Sequence, residues 1–397
     1  MKFDMVDNST LGTVIKVVGV GGAGGNAIQH MINKGVSGVE FIAANTDAQA
    51  LSHSSAHNII QIGDTGLGAG MRPEVGRQLA EESRERIEDA LRGAHMVFIA
   101  AGMGGGTGTG ASPIVAEVAK SLGALTVAVV SKPFSYEGQR CMDMADEGLD
   151  ALESHVDSLI VILNEKLEEI YEDASMMEWL QHADDVLNNA VAGIAEIINV
   201  RGHINVDFND VKTIMGEQGK AMMGTAAASG IDRARIAAEQ AVASPLLDGV
   251  DLSGARGVLV NVTASRNLKG KEIKDVMATV RAFASPDATI VQGIAYDEEM
   301  ADDIRVTVVA TGLGRNKKPM HLIQTPHLRT GTNDAPVRVD GVEPTQGPLT
   351  STTQFDALDK PAVWRHGRDS ATDTVRALEK NGMETYDIPA FLRRQAD

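Results

Sequence analysis

Apolar and polar positions change their period twice along this chain of 397 residues. From Val14 to about Ile162, short runs of consecutive apolar residues, many of them β-branched, alternate with stretches of three- and four-residue spacing. The runs are Val14 to Val20, Val39 to Ala44, Met96 to Ala101, Leu125 to Val130 and Ser158 to Ile162. A strand buried on both faces needs such a run, and regular strand–helix alternation predicts an α/β fold, a parallel sheet with helices on both sides. Ligands of such sheets bind at the carboxyl ends of the strands. Next, Met176 to Asn199 places Ala183, Val186, Leu187, Ala190, Val191, Ile194, Ile197 and Ile198 on one wide helical face, suited to packing against two domains. A second region, about Asn205 to Gly314, mixes helical stretches (Asp210 to Gly216, Asp232 to Ala243, Lys271 to Phe283) with strand runs (Gly257 to Thr263, Ala288 to Ile294, Arg305 to Ala310) and reads as a smaller α+β domain. The expected division is therefore 1–175, a connecting helix 176–204, and 205–315.

After Arg315 the periodicity disappears. Six of the chain's 12 prolines lie between Asn316 and Pro361, with Phe355 the one aromatic. Such a segment buries too little surface to fold, so 316–383 reads as a disordered linker, about 40–50 Å in root-mean-square span. Order signals return in 384–397: Asp387 suits a cap, Pro389 a first turn, and Ile388, Phe391 and Leu392 share a face. So short an amphipathic piece folds on a partner rather than alone.

Composition narrows the function. A formal net charge of −18 disfavours nucleic acid and direct membrane binding. Cys141 is the single cysteine, which excludes an internal disulfide and fits the cytosol. No apolar run is long enough to span a bilayer.

The chemistry concentrates in glycine. Gly102 to Gly110 holds six glycines in nine residues, between a strand run and a helical stretch. Glycine lets backbone approach a ligand, and the amides and dipole of the following helix attract negative charge. No lysine follows, so the loop is not a Walker A motif; a polyphosphate would be held by amides, the hydroxyls of Thr107 and Thr109, and a metal ion. An earlier run, Gly19 to Asn26, matches the dinucleotide pattern G-x-G-x-x-G, which alone also fits a nicotinamide or flavin enzyme. Two cradles on one sheet edge, with the small polar turn Ala44 to Asp47, fit a nucleoside triphosphate better. A third glycine-rich loop, Gly66 to Gly70 followed by Met71, Arg72 and Pro73, either closes over a terminal phosphate or is a plain surface connection.

Asn205 to Asp210 places Asp207 and Asp210 three residues apart before a helix. One reading is an ordinary cap, with Asp207 at N-cap and Asp210 at N3; the other is a pair of carboxylates orienting a water for attack on a γ-phosphate. His53 and His57 have the spacing of an i, i+4 metal pair, but a solvated helix face is the simpler expectation.

These residues together resemble the FtsZ family, the tubulin-like GTPases of bacterial cell division. The likeness runs through the three glycine loops, Pro73 to Gly76, Pro133-Phe134 with Glu137-Gly138, Asn164 to Lys166, Ala183 to Leu187, Asn205 to Asp210 and the tail Asp387 to Asp397. It implies GTP or GDP with Mg²⁺ across the first domain, phosphates on Gly21, Gly22, Ala23, Gly24 and Gly25 and on Gly104, Gly105, Gly106, Thr107, Gly108, Thr109 and Gly110. Glu137 is then expected to hold the ribose, and Asn26, Asn164 and Asp185 the guanine, with Asp47, Gly70, Met71, Gly102 and Cys141 completing the set. It further implies a head-to-tail filament in which Asn205, Asp207 and Asp210 complete the neighbour's site. Membrane-tethering adaptors resembling FtsA and ZipA would bind the tail and bring an otherwise cytoplasmic protein to the mid-cell ring.

Four positions depart from the family pattern. Cys141 stands where an arginine is usual, Leu180 where a phenylalanine stacks on guanine, Met71-Arg72 where Ala-Asn is common, and the loop at Gly63 to Gly66 is short. These imply weaker GTP binding than usual. They also leave open a weakly catalytic or non-catalytic filament partner.

Overall fold

The computed structural model describes residues 12–199, 207–216, 219–244 and 255–313. The expected linker, the peptide Asp387 to Asp397 and Asn205 lie outside the described residues. The first half holds β1 (Ile15–Val20), α1 (Gly21–Asn33), β2 (Glu40–Asn45), α2 (Ala48–Ser52), β3 (Asn58–Gln61), α3 (Pro73–Glu82), α4 (Arg84–Leu91), β4 (Met96–Gly102), α5 (Thr107–Ser121), β5 (Leu125–Lys132), α6 (Gln139–Glu153), β6 (Ser158–Leu163) and α7 (Asn164–Ile170). Helix α8 (Met176–Asn199) follows, then α9 (Phe208–Met215), β7 (Lys220–Ser229), α10 (Arg233–Val242), β8 (Gly257–Ala264), α11 (Gly270–Phe283), β9 (Thr289–Tyr296) and β10 (Asp303–Leu313).

The strands order as β3-β2-β1-β4-β5-β6-β7-β10-β8-β9. The first six are parallel, and β6 continues into β7 through two parallel register positions, Leu159 with Lys220 and Ile160 with Ala221. Strand β10 then runs antiparallel to β7 and β8, and β9 pairs parallel to β8.

Alternate residues of each parallel strand feed two cores. Ile15 and Val17 of β1, Phe98 of β4 and Val127 of β5 pack with Ile28 and Met31 of α1 and with the apolar face of α8. Val18 and Val20, Ile99 and Val130 face the other way, onto Ile87 and Leu91 of α4 and the α5 and α6 helices. Period-two alternation with both faces covered is the reason these strands read as unbroken apolar runs. The α8 face meets Leu259 and Val309 of the second half in the same core, so one helix serves both halves. A third core, under α10 and α11, is built largely from alanine and valine.

Candidate functional site

Strand order reverses between β1 and β4, because the chain leaves β1 towards β2 on one side and leaves β4 towards β5 on the other. The carboxyl ends of those two strands therefore open a crevice, and each is followed by one of the glycine runs. The loops meet backbone to backbone. Gly21 has φ of 78°, and a Cβ there would lie 2.9 Å from the Gly108 nitrogen. Helices α1 and α5 start at this contact, behind Val20 and Gly106, and neither has a side-chain cap. Their first N–H groups are free to serve an anion, and both dipoles favour one there.

A cavity of about 420 Å³ fills the crevice. One end is backbone: Gly22 and Ala23 of α1, with Gly102, Gly105, Gly106, Thr107 and Gly108. The other end is built by Asn26, Phe134, Tyr136, Glu137, Asn164, Leu180, Ala183, Asp184 and Leu187. Asn164 is 5% exposed and its Oδ1 has no hydrogen-bond partner. Burial pushes the Asp184 carboxyl up to about 6, with His30 pulling it down and Asp185 adding to the rise. Two acceptors left short of donors at this end call for a ligand that brings donors. These under-partnered acceptors and the amide-rich end together fit a nucleotide with N–H groups on its base and charge on its phosphates, and Asn26 and Lys132 bring further polar groups to the same wall.

The side chains divide the expected site residues into those at the cavity and those supporting it. The Thr107 hydroxyl is 2.6 Å from that of Thr46, at the end of the Ala44 to Asp47 turn. Asp47 caps α2, its Oδ1 accepting from the Gln49 amide at 2.8 Å. The third glycine loop is docked rather than free: Asp47 bridges to Leu67, and Gly106 lies against Ala69, Met71 and Arg72 of the loop that Gly70 completes. One Glu137 oxygen accepts from the Phe134 amide at 2.8 Å.

Other expected site residues lie outside the lining of this cavity. Asp185 does not line the cavity; its carboxylate pairs with His30 Nε2 at 2.8 Å and Lys34 Nζ at 3.4 Å. Neighbouring residues on a helix differ by about 100° in direction, so Asp184 faces the site while Asp185 faces α1. Thr109 is buried beneath the loop, where its hydroxyl accepts from the Gly104 amide at 2.8 Å. Cys141 is also buried behind the loop; its carbonyl abuts Gly104, and its thiol is not part of the cavity wall. Gly24 and Gly110 are close-packing positions, the first against the Ala100 carbonyl and the second against that of Pro73. Gly21 and Gly25 line a smaller adjoining cavity that shares Gly22 and Asn26 with the first. His53 and His57 share no helix, since α2 ends at Ser52; His57 Nδ1 accepts from the Phe41 amide at 3.1 Å and its ring stacks on Phe41.

The acidic pair lies elsewhere. Asp207 caps α9, its Oδ1 accepting from the Asp210 amide at 2.8 Å, and both residues are exposed. Phe208, next in the chain, meets His95 edge-on at 6.3 Å, and His95 immediately precedes β4. The glycine loop leaves the opposite end of β4, about 20 Å away at 3.3 Å per residue. Neither carboxylate lines the cavity of its own chain.

Residues 14–172 match the family model for the Tubulin/FtsZ family, GTPase domain, and residues 219–314 match that for the FtsZ family, C-terminal domain. Over 401 aligned residues, the whole of both chains, this chain is 52% identical to the cell division protein FtsZ of Pseudomonas aeruginosa. The chain belongs to the FtsZ family. It is also 51% identical, again over the full length of both chains, to the cell division protein FtsZ of Pseudomonas putida. Among solved structures, an empty FtsZ dimer from M. jannaschii matches with a TM-score of 0.74 at 45% identity, covering 77% of this chain and 89% of that one. At 20% identity, a CetZ2 protofilament from Haloferax volcanii bound to GTPgS shares the fold, with a TM-score of 0.64 over 77% of this chain and 95% of that one.

Proposed function

We propose that this FtsZ-family chain binds GTP in the crevice between β1 and β4, assembles head to tail, and hydrolyses the nucleotide at the contact between subunits as the scaffold of the division ring. The observation that carries the reading is the convergence of two uncapped helix N-termini on one cavity whose far end holds Asn164 and Asp184. Guanine offers a ring N–H and an exocyclic amine, two donors for those acceptors. The amides of Gly22, Ala23 and Gly105 to Gly108 hold the phosphates. Among the described residues no group of three or more His, Cys, Asp or Glu is placed to hold a metal. Mg²⁺ would therefore be held chiefly by the phosphates themselves, supplying charge neutralisation there.

The placement of Asp207 and Asp210 at the other end of β4 supports catalysis in trans. A carboxylate repels a polyphosphate directly, so the pair acts through a water, which it orients and deprotonates on the neighbour's nucleotide. GTPase activity per molecule should then rise steeply with protein concentration and be nearly absent in dilute solution. A phosphate-release assay over a concentration series reads this, and constant activity per molecule would refute a shared site. The amide cradle and both aspartates are present, and no feature of the site favours a non-catalytic partner. Placement at the mid-cell ring in the cytoplasm would follow from FtsA- and ZipA-like adaptors bound at Asp387 to Asp397, and truncation before Asp387 should abolish that binding.

The raised Asp184 carboxyl gives the site a pH dependence. Only the ionised form accepts through both oxygens from guanine's ring N–H and exocyclic amine, so proton and nucleotide compete. Affinity for GDP should be flat above about pH 7 and fall by about tenfold per pH unit well below 6, one proton being linked to binding. Asp184→Asn should bind weakly throughout and lose the slope; isothermal titration from pH 5 to 8 measures both.

A further inference from the structure

Position 180, at the base end of the cavity, carries leucine, so the ligand's base finds no aromatic partner there. Three rings nevertheless lie together beside it. Phe134, 2% exposed, has its ring centroid 5.5 Å from that of Tyr136 with the planes 17° apart, and 6.2 Å from that of Trp179 at 19°. Trp179 is anchored in turn, its indole N–H donating to the Tyr171 carbonyl at 2.7 Å.

Tyr136 itself is 51% exposed and forms part of the cavity wall beside Glu137. Its backbone is pinned: the Ser135 amide and hydroxyl both donate to the Glu168 carboxylate, at 2.9 and 2.5 Å, and the Glu137 side chain closes the same short turn onto the Phe134 amide. A large ring that is half exposed, backed by a buried aromatic and carried on a turn fixed at both sides is a preformed flat surface. Covering such a face with another ring system is favourable, and holding it in place beforehand limits the ordering cost of binding.

Resting on the guanine-nucleotide reading above, we propose that Tyr136 supplies the stacking surface for the base, the role that Leu180 leaves unfilled. The phenol also stays neutral, since burial and the charges of Glu137 and Glu168 raise its pKa. Stacking tolerates any purine, whereas the hydrogen bonds to Asp184 do not. The two contributions are therefore separable.

The test uses the full-length protein and two probes, GDP and IDP, the second lacking the exocyclic amine. Tyr136→Ala and Tyr136→Leu should each weaken both nucleotides by the same factor, about five- to a hundredfold. Tyr136→Phe should stay within about twofold of the parent, and adding Leu180→Phe to Tyr136→Ala should recover most of the loss. Circular dichroism checks that the variants fold, and the leucine variant preserves apolar bulk without a π-face. Unchanged GDP affinity in Tyr136→Ala, or an equal loss in Tyr136→Phe, would overturn the proposal. If the parent protein does not bind GDP, or if Asp184→Asn leaves the preference for GDP over IDP intact, the guanine-site reading itself falls, and the two failures are distinguishable.

Discussion

Replacing Asp207 by serine is expected to leave a folded protein that binds GTP with unchanged affinity and turns it over at least about a hundredfold more slowly. The substitution is chosen for what it keeps. Asp207 caps α9 through its bond from the Asp210 amide, and serine caps a helix nearly as well as aspartate, whereas alanine costs about 1 kcal/mol. Serine thus preserves the structural role and removes the charge. Asp210→Asn makes the same separation at the third helical position, where the carboxylate also complements the dipole. Because neither side chain lines its own chain's cavity, a nucleotide-binding assay should not register either change. Mixing Asp207→Ser protein into parent protein should lower phosphate release roughly in proportion to the fraction added, as parent nucleotides acquire variant neighbours. Full activity in Asp207→Ser would show that the residue is only a cap.

What the sequence disclosed, and what it hid, follows from the range of the interactions involved. The runs at β1, β4, β5 and β6 are continuous because both faces are covered, and so they were legible. Strand β7 was not: Lys220–Ser229 is rich in alanine, a helix former, and pairs as a strand because α10 packs closely on its small side chains while β6 and β10 take its backbone bonds. Strand β3, four residues long, is too short to show a period. That β7 joins the two halves into one sheet was equally invisible, since the join rests on two register pairs whose partners lie 61 residues apart in the chain.

In the site, the glycine runs announced themselves by composition, but their division of labour did not. Thr107 and Thr109 look alike in sequence, yet Thr107 lines the cavity with its hydroxyl bonded to that of Thr46, while Thr109 is buried with its hydroxyl spent on the Gly104 amide. Asp184 and Asp185 differ only in which side of α8 they occupy. The apolar period carried the missing signal: Ala183 and Leu187 face the core and the cavity, and Asp184 lies between them along the same strip. The ring group around Phe134 joins residues from two distant segments, so no local pattern could reveal it.

Among the glycines, Gly108→Ala should have the largest effect on binding. A Cβ at 108 would stand 2.3 Å from the Gly102 carbonyl oxygen and 3.6 Å from that of Val20. Neither is a flexible side-chain end. Gly102 is held in register with Ser131 on β5, so the start of α5 has to move away, taking with it the amides that face the phosphates. Gly105→Ala is the contrast, because its Cβ would meet no protein atom within 4 Å and would project into open space at the cavity. Thermal unfolding with and without GDP separates the two effects. In the parent, GDP at a hundred times its dissociation constant adds about 2.7 kcal/mol. Gly105→Ala should match the parent's unliganded stability and lose part of the GDP increment. Gly108→Ala should lose about 1–3 kcal/mol before any ligand is added, and at the same GDP concentration it should show almost no increment. An undiminished increment in Gly108→Ala would mean that the two loops do not converge on the ligand, and the assignment of the phosphates to the crevice between β1 and β4 would have to be given up.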